Sequence, residues 1–154
     1  MKCLIVYFSL TGNTEKVARA IQKGVKQVSG HCDMVKIKEA NPRDLSQYDL
    51  IGLGSPVIGV PEIGTEPPNV RAFINDMRFV GGKHAFAFCT HGTHYEMFFP
   101  RVIRLLKRRG MIVIGTRDWY GSVYIPAMPK PYPSDGHPDS IDLKEAEEFG
   151  REMA

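Results

Sequence analysis

The 154-residue sequence lacks a long hydrophobic run and has few cysteines. No apolar stretch approaches the roughly 20 residues that span a bilayer, and the N-terminal residues show no small-residue cleavage site typical of a secretory signal. The three cysteines, Cys3, Cys32 and Cys89, form neither a Cys-x-x-Cys pair nor a metal-binding spacing. We therefore expect buried thiols rather than a disulfide framework or an iron–sulfur site. The missing membrane span and cleavage site lead us to expect a cytoplasmic protein.

Two common nucleotide-binding motifs are absent as well. The polar segment at residues 9–14 has no Lys-Ser or Lys-Thr pair after its glycine, as a Walker loop requires, and it is not Gly-x-Gly-x-x-Gly. It follows an apolar, strand-like run at residues 3–8 and precedes an amphipathic helical pattern at 15–28. Such a helix N-terminus offers unpaired backbone N–H groups to an anion. An ordinary helix cap explains the same residues, so the segment alone predicts either a cap or a site for a terminal monophosphate.

Strand-like and helix-like patterns alternate along the whole chain. We predict five strands at residues 3–8, 31–37, 50–54, 84–89 and 111–115, and four helices at 15–28, 70–77, 98–109 and 141–153, with Gly110 ending the third helix and Asp139 or Ser140 capping the fourth. This order predicts an α/β fold, a three-layer, doubly wound, five-stranded parallel sheet, as one domain over residues 1–154. Ligands of such sheets bind at the carboxyl ends of the strands, where the winding reverses.

Three polar or glycine-rich loops leave predicted strand ends, at residues 9–14, 55–65 and 90–95. The first reads Ser9-Leu10-Thr11-Gly12-Asn13-Thr14. It matches at each defining position the phosphate loop Thr/Ser-x-Thr-Gly-Asn-Thr, and together the three loops resemble those of the flavodoxins and their FMN-binding relatives. The resemblance covers essentially the whole chain and implies the strand order 2-1-3-4-5. It also implies that the backbone N–H groups of the first loop, with its Ser, Thr and Asn side chains, hold the phosphate of FMN.

The same resemblance assigns roles to the other two loops. The second would line the inner face of the flavin ring through Ser55, Pro56, Val57, Ile58 and Gly59, where Gly59 falls on the glycine whose carbonyl can turn toward the flavin N5 on reduction. The third would cover the outer face through Thr90, His91, Gly92, Thr93, His94 and Tyr95, with Tyr95 as the stacking residue. A glycine-rich surface loop and two structural histidines are the alternatives.

The chain departs from many flavodoxins in the charges beside the flavin. Where those proteins carry acidic residues, this chain has Val60 and Gly92, with His91 and His94 alongside. Cations favour an anionic reduced flavin and carboxylates disfavour it. We therefore expect a less strongly depressed semiquinone/hydroquinone potential than in acidic flavodoxins. No metal site is predicted, because these histidines have no further ligands at suitable spacing.

The third predicted helix is strongly basic, with Arg101, Arg104, Lys107, Arg108 and Arg109. A solvated helix face explains this charge, and the alternative is a docking surface for an acidic redox partner, ferredoxin-like or a reductase. Nucleic acid is not expected, because no aromatic platform accompanies the charge. The oligomeric state and the role of the aromatic, proline-rich segment 118–138 stay open.

The first functional hypothesis is a non-enzymatic electron carrier that uses bound FMN, because the cofactor supplies the redox chemistry and no catalytic side chain is required. The alternative is an NAD(P)H-dependent FMN or quinone oxidoreductase on the same fold. Ile58 and Gly59 bring no bulky aromatic to the second loop, which leaves room for a nicotinamide. A low-molecular-weight tyrosine phosphatase needs a Cys and an Arg bracketing the first loop, and residues 9–14 contain neither.

Overall fold

A five-stranded parallel sheet forms the centre of the molecule. The computed structural model describes residues 1–58, 64–123 and 128–154. The strands are β1 (Cys3–Tyr7), β2 (Cys32–Lys36), β3 (Leu50–Pro56), β4 (His84–His91) and β5 (Ile112–Tyr120), and the helices are α1 (Asn13–Ser29), α2 (Pro68–Asp76), α3 (Phe98–Arg108) and α4 (Ser140–Met153). The strand order is β2-β1-β3-β4-β5, with every pair parallel. The predicted fold class and the strand order implied by the resemblance are confirmed.

Helices cover both faces of the sheet, so the central strands are apolar along their length. One core joins the sheet to α2 and α3 through residues such as Leu53, Ile74 and Val102. The other joins it to α1 and α4 through residues such as Ile21 and Phe149. The three cysteines are free and buried, as expected. No helix in the described ranges is long and apolar enough to cross a membrane.

Helices α1 and α4 approach each other at two glycines. A β-carbon on Gly24 would lie 1.9 Å from the backbone oxygen of Glu147, and one on Gly150 would lie 2.2 Å from the backbone oxygen of Ile21. Only glycine therefore lets the two backbones meet at this distance. The contact fixes α1, whose first turn begins directly after the polar loop 9–14.

Several strands run further than the sequence predicted. The predicted end of β5 at residue 115 is wrong, because β5 continues to Tyr120 and pairs Asp118 with Cys89 and Trp119 with Thr90. As an edge strand it carries polar side chains while its backbone ladder continues. Strand β4 likewise continues to His91. Helix α2 starts at Pro68, a residue suited to the first helical turn, and α4 has the predicted Asp139 cap, in a capping box with Asp142.

Candidate functional site

The carboxyl ends of the strands bring the three predicted loops together. They line one cavity of about 110 Å³, whose walls are Leu10, Thr11, Asn13, Thr14, Pro56, Val57, Thr90, His91, Gly92, Gly121 and Val123. A larger cavity of about 480 Å³ lies on the other side of the first loop, toward β2, and is bordered by Ser9, Leu10 and Gly12. The first loop thus separates two cavities at the point where the sheet winds in both directions from β1.

The first loop combines a helix cap with open backbone donors. Gly12 has a φ of 93°, which favours glycine. The Ser9 hydroxyl oxygen accepts from the backbone N–H groups of Gly12, at 3.1 Å, and Glu15, at 3.3 Å. The other four N–H groups of the turn have no acceptor among the described residues; they belong to Leu10, Thr11, Asn13 and Thr14. The cap and the anion site, which the sequence left as alternatives, are therefore compatible.

Several polar side chains assigned to the site are already hydrogen-bonded within the protein, mostly to another loop. The buried hydroxyls of Thr14 and Thr90 are 2.7 Å apart, and the Asn13 amide donates to the Ser122 carbonyl at 2.9 Å. The Ser55 hydroxyl is buried and donates to the Pro56 carbonyl at 2.7 Å. Backbone N–H groups are consequently the main free donors that this loop offers to an anion.

The second loop leaves the end of β3, and its two ends pair with each other beside the third loop. The Val57 N–H donates to the Thr90 carbonyl at 2.9 Å, and Ile58 forms an antiparallel bridge with Thr65. The returning segment contacts the chain just after the third loop, where the Met97 N–H donates to the Gly64 carbonyl at 3.1 Å. Gly59 and Val60, which the resemblance placed beside the flavin, lie outside the described residues.

The third loop is organised around His91, which is only 6% exposed. Its ring stacks on Tyr95, with centroids 4.1 Å apart, and tilts against Tyr120 at 5.0 Å. Its Nδ1 lies 3.1 Å from the Thr93 carbonyl oxygen and its Nε2 lies 2.8 Å from an Asp118 carboxylate oxygen. A carbonyl and an ionised carboxylate both accept, so the imidazole makes both hydrogen bonds only when both nitrogens carry protons.

Asp118 is the site residue that the sequence did not reveal. Its charge, together with burial, raises the pKa of the Tyr95 hydroxyl. The β-forming Trp-Tyr pair that follows it was the available signal, because it indicates that β5 continues past its apolar part. His94 also faces a carboxylate, that of Glu96 at 3.3 Å. Each of these two histidines thus has an acidic partner, which balances the positive charge that a protonated imidazole would bring to the third loop.

The segment 128–138 folds back on the end of β5. The Ser122 N–H and hydroxyl both donate to the His137 carbonyl, at 2.7 and 2.9 Å. Trp119 lies in the core, while Tyr124 is outside the described residues. His137 and the capping pair Asp139 and Asp142 bring three potential metal ligands within 4.8 Å of one another. Both carboxylates already cap α4, so this geometry reflects the helix terminus.

Comparisons with known proteins agree with this arrangement. Residues 4–112 match the profile of a family described as flavodoxin domain. The chain is 32% identical to a flavodoxin of Megasphaera elsdenii over 113 residues, which cover 73% of this chain and 81% of the relative.

Two further proteins are similar to this chain over nearly its full length. A quinone-type NAD(P)H dehydrogenase of Archaeoglobus fulgidus is 26% identical over 194 aligned positions, which cover 99% of this chain and 95% of the relative. The structure of oxidised flavodoxin 1 from Bacillus cereus superposes with a TM-score of 0.76 at 21% identity, covering 99% of this chain and 97% of that one. The family match and the Megasphaera relative together establish that this chain belongs to the flavodoxin domain family.

Proposed function

We propose that this protein is an electron carrier that works through bound FMN. The observation that carries the proposal is the set of four open N–H groups at the start of α1, beside a cavity that all three loops line. Unpaired N–H groups and the positive end of a helix favour a phosphate. Membership of the flavodoxin domain family supports FMN as the source of that phosphate. The single-domain organisation and the cytoplasmic location are part of the proposal.

The residues around the cavity fit this cofactor in two ways. The backbone of residues 10–14 would hold the phosphate, and Pro56, Val57 and Ile58, followed by Gly59, would line one face of the flavin. Cavities that enclose a whole small ligand measure about 300–1,000 Å³, so the three-loop cavity of about 110 Å³ fits one part of FMN. The remainder would extend over the loop surfaces near Tyr95.

The roles of the buried polar residues are to position the loops. The Thr14–Thr90 and Asn13–Ser122 hydrogen bonds connect the first loop to β4 and to the end of β5. FMN supplies one- and two-electron chemistry when bound. Because His91 covers one face of the Tyr95 ring, a flavin that stacks on Tyr95 uses the opposite face or requires the imidazole to move away from Asp118.

A spectroscopic titration tests the proposal. The protein reconstituted with FMN should show flavin absorption, and stepwise reduction with dithionite should populate a neutral one-electron-reduced flavin. A colourless protein that does not bind added FMN would contradict the proposal.

Two glycines at opposite ends of α1 provide a variant and its matched control. Gly12 and Gly30 both have a positive φ, 93° and 74°, and a β-carbon on either would meet no atom within 4 Å. Alanine at either position therefore adds the same backbone strain, on the order of 1–2 kcal/mol. Relieving this strain at Gly12 would turn the first loop away from the conformation that presents its N–H groups, so Gly12→Ala should weaken FMN binding about tenfold, which corresponds to about 1.4 kcal/mol. Gly30→Ala should leave the FMN affinity unchanged, and equal losses of affinity in the two variants would argue against a phosphate at the first loop.

An NAD(P)H-dependent quinone reductase is the second candidate, and its support is the likeness to the Archaeoglobus dehydrogenase. The distinguishing assay is steady-state NADPH oxidation by the FMN-loaded protein with a quinone acceptor. An electron carrier should show almost no turnover until a separate reductase is added, whereas an enzyme turns over alone.

A further inference from the structure

A groove between α2 and α3 carries most of the basic character that the sequence placed on one helix. Three arginines of α3 recur at spacings of three and four residues and therefore share one face of the helix, and one further arginine faces them from α2. The groove encloses about 270 Å³ and is lined by Glu66, Arg71, Asn75, Arg101, Arg104, Leu105 and Arg108. Lys107 is exposed beside it, and Arg109 is directed away and donates to the Met77 carbonyl.

A buried carboxylate orients two of the four guanidinium groups. Glu66 is 1% exposed, and its two oxygens face the Nε atoms of Arg71, at 2.8 Å, and Arg101, at 3.2 Å. Burial alone would raise the pKa of Glu66, but hydrogen bonds from Thr65 and Arg71 hold it below its usual value. Both arginines contact the carboxylate through Nε, and their terminal NH₂ groups donate no hydrogen bond within the described part of the chain.

The groove concentrates positive charge on an otherwise balanced surface. The four arginines and one glutamate give it a formal charge of +3, the same as the net charge of the whole chain. Arg104 and Arg108 are exposed and have no ion pair within residues 1–58, 64–123 and 128–154. A solvated helix face does not require a buried carboxylate that fixes two guanidinium groups, whereas a binding surface benefits from donors positioned in advance.

The groove lies next to the loops of the proposed flavin site. Glu66 directly follows Thr65, which pairs with Ile58 of the second loop. Helix α3 begins at Phe98, two residues beyond the third loop. The Glu66–Arg101 contact therefore joins the end of the second loop to the helix that follows the third, and a protein bound along the groove lies beside the flavin loops.

We propose that this groove docks an acidic electron-transfer protein, an inference that rests on the proposed FMN carrier function. Arg101 and Arg108 are separated by two helical turns, a span of about 10 Å at 1.5 Å per residue. A row of carboxylates on a protein surface matches this span, whereas a single phosphate does not. In the complex the partner's centre and the flavin exchange one electron, and no bond forms in the groove.

Charge reversal with a matched control tests the docking. Arg104→Glu/Arg108→Glu changes only exposed, unpaired groups of the groove. The control, Arg43→Glu/Lys144→Glu, makes the same charge change at exposed residues away from the groove, which likewise lack ion pairs in the described chain. The probe is a reduced, acidic 2[4Fe–4S] ferredoxin, which loses one electron as the FMN-loaded protein gains one, followed by stopped-flow absorbance.

The groove variant should lower the second-order rate constant at least about tenfold at low salt, because electrostatic steering contributes factors of 10 to 1,000. The control should change it less than about twofold. The difference should shrink as salt rises from about 0.01 to 0.3 M and the Debye length falls. Titration calorimetry with the oxidised ferredoxin should show the same loss of affinity without any electron transfer.

FMN affinity is measured first in the wild type and in each variant. This measurement distinguishes failure of the FMN carrier proposal from failure of the docking proposal. A wild-type protein that binds no FMN refutes the carrier function. If FMN binds normally, docking at the groove is refuted by equal rate losses in the two variants, or by an unchanged rate in the groove variant. Inorganic pyrophosphate that binds the groove tightly, without slowing the ferredoxin reaction, also overturns the proposal and identifies a small-anion site.

Discussion

Replacing Glu66 by glutamine should destabilise the fold by about 2–3 kcal/mol. The substitution removes a buried negative charge and leaves Arg71 and Arg101 without a carboxylate. Removing one partner of a buried ion pair costs about 3–5 kcal/mol, but the two arginine side chains are 40% and 37% exposed and can regain water. Glutamine also keeps one acceptor oxygen, so the expected cost falls below that range. Glu145→Gln is the control, because Glu145 pairs with Arg117 at the surface and such pairs contribute about 1 kcal/mol or less.

The pH dependence of stability gives this prediction a second readout. The pKa of Glu66 is lowered in the folded protein, so its contribution is fully present above the unfolded value of about 4.3. The contribution is lost as the pH falls through the lower folded value. Urea unfolding can be followed by the emission of the single tryptophan, Trp119, which is buried. The difference between wild type and Glu66→Gln should be constant from pH 6 to 8 and shrink in acid. A loss no larger than that of Glu145→Gln, or one that persists unchanged at pH 3, would refute the reasoning.

Three further substitutions test the packing around the site. Gly24→Ala should cost about 1–3 kcal/mol in urea unfolding, because a β-carbon there would lie 1.9 Å from a backbone oxygen of α4. The hydrogen bond with Asp142 raises the pKa of His137 in the folded protein. The stabilisation that this pair contributes is therefore present below about pH 6.5 and is lost as the pH rises through the folded pKa. His137→Asn should abolish this pH dependence of the thermal unfolding temperature. Thr14→Val should cost about 1–3 kcal/mol by leaving the Thr90 hydroxyl buried and unpaired, and the double variant Thr14→Val/Thr90→Val should lose less than the sum of the two single losses.

The sequence revealed those strands and helices whose buried faces produce a recognisable spacing of apolar residues. Strands β1, β3 and β4 are covered on both faces and are therefore continuous apolar runs. Helix α1 shows its buried stripe through Val17, Ile21 and Val25. The prediction ended β5 too early because its apolar pattern stops before Thr116 and Arg117. The backbone of this edge strand nevertheless continues to pair with β4, while these polar side chains face water. Strand ends consequently depend on the neighbouring strand as much as on their own residues.

The site was predictable where its chemistry is local. A glycine between a strand and a helix creates open N–H groups within six residues, and the structure has four of them. The contacts that hold the site together connect distant positions. The Thr14–Thr90 hydrogen bond joins residues 76 apart, the Asn13–Ser122 bond joins residues 109 apart, and the His91–Asp118 pair joins residues 27 apart. No local pattern identifies the partner in such pairs.

The sequence by itself determined the alternation of strands and helices, the glycine turn at residues 9–14 and the basic character of α3. These features follow from composition and periodicity within short stretches of chain. Only the tertiary structure decided that His91 faces Asp118, that Glu66 is buried between two arginines, and that the basic residues of α3 form a groove with α2. The physical reason is that charge balance and burial at these positions depend on sheet register and helix packing, which bring together residues that are far apart in the chain.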